Sequence, residues 1–274
     1  MDKTSPTPLT DRKSILITGA ASGIGAATAK LFSSRGWYCG LYDINRPGLT
    51  ALSEQIGAEN CHTGMLDVTQ RDSWKAAVDG FGAHTGGQMH VLFNNAGIAA
   101  SGWLEDVPHD KTDQIIDTNL KGVINGIYAC LPLLKATPGA RIVNTASVSA
   151  IVAAPRIAVY SATKFAVRGL TDALDAEFRG IDVRVTSLVP WFISTPILNS
   201  AVSGQSNQAG EALLREAGVK VYPVELAAEV AWDAAHGNKI HYLVGAAAKR
   251  TGFFARFLPW LVRRRLHRSV PERS

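Results

Sequence analysis

Seven short apolar runs, "SILITG", "WYCGLYD", "CHTGMLDV", "HVLFNNAG", "RIVNTAS", "DVRVTSLVP" and "HYLVG", are bounded by turn residues along this chain. Between them lie stretches of helical period, among them Ala26–Arg35, Asp72–Phe81, Thr112–Leu134, Ala158–Phe178 and Glu225–Ala235. Strands that alternate with helices build a parallel sheet, because right-handed crossovers lay helices on both of its faces. The expected fold class is therefore α/β: a doubly wound, Rossmann-like parallel sheet of about seven strands. Ligands of such sheets sit at the carboxyl ends of the strands. The small-residue stretch Thr195–Pro223 emerges at that end and reads as a mobile loop with a short helix.

The first strand runs into its helix through "TGAASGIG", with Gly19, Gly23 and Gly25 at the turn. Glycine tolerates positive φ and close approach by another backbone or a ligand. A helix N-terminus adds unpaired amides and a positive dipole end, which suit a phosphate. A tight strand–helix turn also carries glycines for purely steric reasons, and the spacing here differs from G-x-G-x-x-G. The second strand supplies a further signal, ending at Asp43, eighteen positions after Gly25. That is near the interval of about 20 residues at which a carboxylate meets an adenosine ribose. A carboxylate there accepts from both ribose hydroxyls and repels a 2′-phosphate, so NAD is expected over NADP.

Tyr160 and Lys164 stand four apart in a helical stretch and share a face. A free phenol titrates near 10. An ammonium within about 4–6 Å favours the phenolate, as does a positively charged nicotinamide ring. A lowered phenol pKa would let Tyr160 act as acid or base near neutral pH. On an exposed helix such a pair also arises by accident.

Taken together, "TGAASGIG", "LDV", "NNAG", "DTNL" and "TAS…YSATK" resemble the motifs of the short-chain dehydrogenase/reductase family, single-domain branch, in order from Ser14 to about Gly245. The resemblance implies an oxidoreductase in which Tyr160 is the general acid/base and Ser147 holds the substrate oxygen. It implies that Lys164 lowers the tyrosine pKa and binds the nicotinamide ribose, and that Asn119 positions a water feeding protons to Lys164. It places Gly19, Ser22, Gly23, Ile24 and Gly25 along a pyrophosphate, and Asp67 and Val68 at an adenine. Asn95, Ala96 and Gly97 are placed along the adenosine ribose, and Pro190, Ile193 and Thr195 beside the nicotinamide. After the sixth strand the family has Pro-Gly where this chain has Pro190-Trp191. Trp191 forms either an apolar wall over the substrate or part of the core. The implied reaction moves a hydride between NAD(H) and a hydrophobic alcohol or its ketone or aldehyde. The alternatives are an NAD(P)-binding regulatory protein without turnover and an NADP-dependent carbonyl reductase. Relatives imply a homodimer or homotetramer through the helices near Asn119 and Tyr160.

Composition bounds the rest. With 274 residues and 46% hydrophobic content, one substantial core is expected. The domain is expected over residues 14–248, after a flexible polar tail at 1–13 and before a basic amphipathic extension at 249–274. No apolar run reaches the roughly 20 residues that span a bilayer. Cys39, Cys61 and Cys130 are unclustered, which suits reduced thiols and a cytoplasmic location. His62, His84, His90 and His109 lack ligand spacing, so no metal site is expected. The net charge of +5 is uneven: residues 249–274 hold eight Lys or Arg against one Glu. The basic pI thus belongs to the end of the chain and is no argument for nucleic-acid binding. In "KRTGFFARFLPWLVRRRLHRS" aromatic and aliphatic residues interleave with arginines. They either pack on the domain or a neighbouring subunit, closing over the cleft, or lie in the interface of an anionic membrane.

Overall fold

The computed structural model describes residues 12–198 and 210–268. Its elements run β1 (Ser14–Thr18), α1 (Gly23–Ser34), β2 (Tyr38–Asp43), α2 (Arg46–Ile56), β3 (Cys61–Met65), α3 (Arg71–Thr85), β4 (Val91–Asn94), α4 (His109–Ile116), α5 (Gly122–Lys135) and β5 (Arg141–Thr145). They continue with α6 (Ala158–Glu177), β6 (Arg184–Pro190), α7 (Gly210–Glu216), α8 (Val224–His236), β7 (His241–Val244), α9 (Ala246–Phe257) and α10 (Pro259–Arg268). All seven apolar runs form strands of one parallel sheet, ordered β3-β2-β1-β4-β5-β6-β7. The order reverses direction between β1 and β4, which opens a crevice at their carboxyl ends.

Alternation along each strand divides the core. Ile15, Ile17, Val91 and Phe93 pack on one face beneath α1 and α8, while Leu16 and Leu92 pack on the other with Trp74 and Phe81 of α3. Fully burying a side chain of this size contributes about 1.5–3 kcal/mol, so both helical layers are fastened by the strands they cover. On the first face Phe32 of α1 meets Trp232 of α8 at 4.9 Å, and Arg35 stacks over the same indole at 4.4 Å.

Three expectations shift. The single helix expected over Thr112–Leu134 is α4 and α5 joined by a π-helical turn, Asp117–Lys121. Residues 1–11 of the expected tail lie outside the described residues, but Arg12 belongs to the domain. Its guanidinium donates to the carbonyls of Gly36 and Trp37 at 3.0 and 3.1 Å and to Asn60 Oδ1 at 3.1 Å. The boundary expected after residue 248 falls inside α9, because Ala247 and Ala248 in its first turn are buried against the domain. In the stretch expected to be a loop with a short helix, α7 is that helix, and residues 199–209 lie outside the described residues. Cys39, Cys61 and Cys130 are free and buried.

Candidate active site

A cleft of about 850 Å³ opens where the sheet order reverses, lined along one side by Gly19, Ser22, Gly23 and Ile24. Gly19 and Gly23 have φ of +65° and +55°, a backbone region that other residues rarely adopt. A Cβ on Gly19 would stand 2.9 Å from Ala96 Cα, and one on Gly23 would stand 3.0 Å from Thr195 Cγ2. Gly25 acts behind the wall, since a Cβ there would run into the Gly19 carbonyl oxygen. It permits the turn to fold onto α1 and does not itself line the cleft. Ser22 at the N-cap makes no side-chain bond to the helix, and the first turn carries no acidic residue. The positive end of α1 is therefore left for an anion.

Carboxylates and amides set the distal half. Asp43 Oδ2 accepts from the Ala21 amide at 3.0 Å, and Oδ1 accepts from Asn45 N at 2.9 Å. The carboxylate at the end of β2 is thus fixed to the glycine turn. Asp67 accepts from the Thr69 amide and hydroxyl at 2.9 and 2.7 Å, while the Val68 carbonyl takes the Trp74 indole N–H at 3.0 Å. Asn95 spends its side-chain amide on the Thr18 and Gly19 carbonyls at 3.0 and 3.2 Å. It ties β4 to the turn, while Ala96 and Gly97 carry the wall onward.

Thr18 is a positioning residue that sequence reasoning missed. Its hydroxyl accepts from the Asn95 and Ala96 amides, both at 3.0 Å. The only signal in the sequence is a polar residue closing an otherwise apolar strand. Thr18→Val leaves two amides without an acceptor, at about 1–3 kcal/mol each. Urea unfolding of this variant is expected to show a loss of that order, with weaker dinucleotide binding; an unchanged midpoint would mean that Thr18 does not hold the wall.

The π-turn places Asn119 inside the protein with no solvent exposure. Its Oδ1 accepts from Ile98 N at 2.9 Å; its Nδ2 donates to the Ile98 carbonyl at 2.9 Å and to Thr163 Oγ1 at 3.3 Å. Asn119 thereby locks α4–α5 to the segment after β4 and to α6, from behind the cleft wall. Ser147 follows β5 and starts a short 3₁₀ turn, its hydroxyl accepting from the Ser149 amide at 3.1 Å. Tyr160 and Lys164 project from one face of α6, with the ammonium 5.7 Å from the phenol ring. Lys164 is 3% exposed and donates to the Thr145 carbonyl at 2.8 Å. Burial pulls its pKa down to about 8.

The expected lowering of the Tyr160 pKa is not what the protein alone produces. Burial pushes the phenol up, and its hydrogen bond with Ser147 only partly offsets that rise. The Lys164 ammonium is directed to Thr145 and is itself desolvated, so a second cation in the cleft is needed to favour the phenolate.

The segment after β6 closes the cleft. Ile193 bridges Tyr222, and Tyr222 N donates to the Phe192 carbonyl at 2.9 Å, holding Pro190, Ile193 and Thr195 on the wall. Trp191 lines the cleft and also packs against the core. Its indole nitrogen is enclosed, so the part of the ring that meets the cleft is hydrocarbon. No residue of α9 or α10 lines the cleft, and their aromatic side chains stand exposed. The first turn of α9 packs on the domain through Ala247 and Ala248.

A family model described as "short chain dehydrogenase" matches residues 13–206. The SadH protein of Mycobacterium tuberculosis, provisionally named an oxidoreductase, is 33% identical over 252 residues, covering 90% of this chain and 91% of that protein. D-threitol dehydrogenase of Mycolicibacterium smegmatis is 35% identical over 220 residues, 80% of this chain and 84% of that one. A short chain dehydrogenase/reductase from Burkholderia phymatum, solved in complex with NAD, superposes with a TM-score of 0.81 at 25% identity, covering 96% of this chain and 99% of that one.

Proposed function

This chain belongs to the short-chain dehydrogenase family of oxidoreductases, and from that premise we propose that it moves a hydride between NAD(H) and a hydrophobic alcohol or its carbonyl partner. The observation that carries the reading is the placement of Lys164. An ammonium with 3% exposure and, among the described residues, no carboxylate partner costs folding energy, and it lines the cleft together with the Tyr160 phenol and the Ser147 hydroxyl. Binding a dinucleotide accounts for Lys164 alone; it gives no use to a phenol hydrogen-bonded to the Ser147 hydroxyl in the same cleft, which argues against a regulatory protein without turnover.

The residues present fit a dinucleotide. The cradle at Gly19, Ser22, Gly23 and Ile24 with the open end of α1 suits a pyrophosphate. Asp43 suits the ribose diol, Asp67 and Val68 the adenine, and Asn95, Ala96 and Gly97 the adenosine ribose and linking backbone. Pro190, Ile193 and Thr195 would border the nicotinamide side, and Lys164 would hold the ribose there. NAD, when bound, supplies the acceptor and donor of the hydride. In the oxidative direction the Ser147 hydroxyl donates to the substrate oxygen and Tyr160, as phenolate, takes the alcohol proton. In reduction Tyr160 returns that proton to the oxygen. Lys164 provides positive charge beside the phenolate, and Asn119 is the positioning residue that fixes α6. Ile98, Val148, Ile157, Trp191, Phe192 and Leu198 give the substrate end an apolar lining, which supports a hydrophobic substrate. Tyr128 on α5 and Phe165 on α6 are 77% and 43% exposed, which supports pairing of subunits through those helices in a dimer or tetramer.

Asp43 leads us to expect NAD to exceed NADP in kcat/KM by at least about tenfold. Like charges 4 Å apart repel by about 4 kcal/mol at the effective dielectric of a protein surface, and exposed Arg46 at the start of α2 offsets part of this. The Asp43→Ser variant removes the repulsion and is expected to narrow the ratio. A wild-type preference for NADP would refute the assignment.

A further inference from the structure

The described chain ends in two helices that the domain covers on one side only. α9 is rooted by buried Ala247 and Ala248, and by Gly252, where an added Cβ would stand 3.3 Å from Leu243 and 3.8 Å from Ile151. Beyond that root Phe253, Phe254, Phe257, Trp260 and Leu261 are 58, 41, 60, 61 and 41% exposed. The Phe253 and Phe257 rings lie 4.9 Å apart and Phe253 and Phe254 5.9 Å apart, so the rings form one patch. The same two helices carry Lys249, Arg250, Arg256, Arg263, Arg264, Arg265 and Arg268 with no Asp or Glu between 249 and 268. The Arg256 guanidinium stands over the Phe257 ring at 5.7 Å.

Water is a poor solvent for five such side chains, and exposed apolar patches of this kind mark interaction surfaces. Pairing the patch with a second copy would set two carboxylate-free cationic clusters against each other, a repulsion that nothing on either helix relieves. Among the described residues no helix is long and apolar enough to cross a membrane. Rings and arginines on short helices match instead an anionic bilayer surface, where rings enter the headgroup boundary and arginines meet the headgroups.

We propose that α9 and α10 dock this protein onto an anionic lipid bilayer through Phe253, Phe257 and Trp260 and the arginines around them. The root of α9 against Ile151 lies beside the turn that begins at Ser147, so docking holds that end of the cleft close to lipid. This consequence for substrate entry rests on the hydride-transfer reading; the docking does not, and it is measured without turnover.

The test is co-sedimentation of the full chain with vesicles of phosphatidylcholine alone or mixed with phosphatidylserine, at low and high salt. Binding to the mixed vesicles is expected at low salt and should weaken sharply at high salt as screening sets in. The triple variant R263Q/R264Q/R265Q is expected to bind about a hundredfold more weakly. F253S/F257S/W260S should also lose binding, with an unchanged melting curve because these side chains are exposed. Intact protein left in the supernatant at low salt would overturn the proposal. So would variants that sediment like the wild type, or an oligomer that the aromatic variant dissociates while neither form binds vesicles.

Discussion

Tyr160→Phe is expected to lower turnover by about 10³-fold, within the range that a positioned acid or base contributes, while NAD binding stays nearly intact. The substitution removes one oxygen from a side chain whose ring borders the cleft. Packing is preserved, and the Ser147 hydroxyl still reaches the substrate oxygen. The phenol begins from an unfavourable position, because burial raises its pKa before any cationic ring enters the cleft. Activity in the wild type should therefore rise with pH in the oxidative direction, as the phenolate becomes populated. Stopped-turnover assays with titration of NAD by fluorescence separate the two effects. Retention of more than a few per cent of activity would remove Tyr160 from the chemistry.

Lys164→Met is expected to lower turnover by about 10²-fold or more and to leave the fold as stable as before or more so. The sign follows from the depressed pKa. Folded Lys164 titrates near 8 against an ordinary lysine value of about 10.5, so the unfolded chain binds more protons between those values. The contribution of this group to stability is full above about pH 10.5 and is lost as pH falls through 8; at neutral pH the buried ammonium costs about 3 kcal/mol. Methionine fills the volume without the charge. Urea unfolding at pH 7 should show no loss, and the rise of stability with pH between about 8 and 10.5 should flatten in the variant. A marked loss of stability would make Lys164 a structural residue. Reduced activity combined with undiminished stability identifies a side chain kept for chemistry.

The sheet was legible because every strand announces itself as an apolar run between turn residues, and alternation with helices leaves few topologies. The helix α2 was not seen, since Pro47 and Gly48 interrupt the pattern at its start, although Asn45 caps it by accepting from the Gly48 amide at 3.1 Å. The π-turn at Asn119 was equally invisible, because one extra residue in a turn barely disturbs the period of a long helix. That single residue is what rotates Asn119 inward. Motif spacing brought Ser147, Tyr160 and Lys164 together, yet the direction of the Tyr160 pKa depends on how much protein surrounds the phenol, which spacing does not carry. The end of the chain showed its charge and its rings but not whether anything covers them. Among the described residues Phe253, Phe257 and Trp260 are left more than half exposed.

The central claim is that this cleft exchanges a hydride between NAD and a hydrophobic alcohol with Tyr160 as the proton acceptor. It is tested most directly by following nicotinamide absorbance with purified wild type and Tyr160→Phe across steroid, retinoid, terpenoid, long-chain and aromatic alcohols. The account predicts NADH formation by the wild type with at least one hydrophobic class, and its loss in the variant despite retained NAD binding. Dinucleotide binding with no turnover on any class in either direction, or equal turnover by the two proteins, would contradict it.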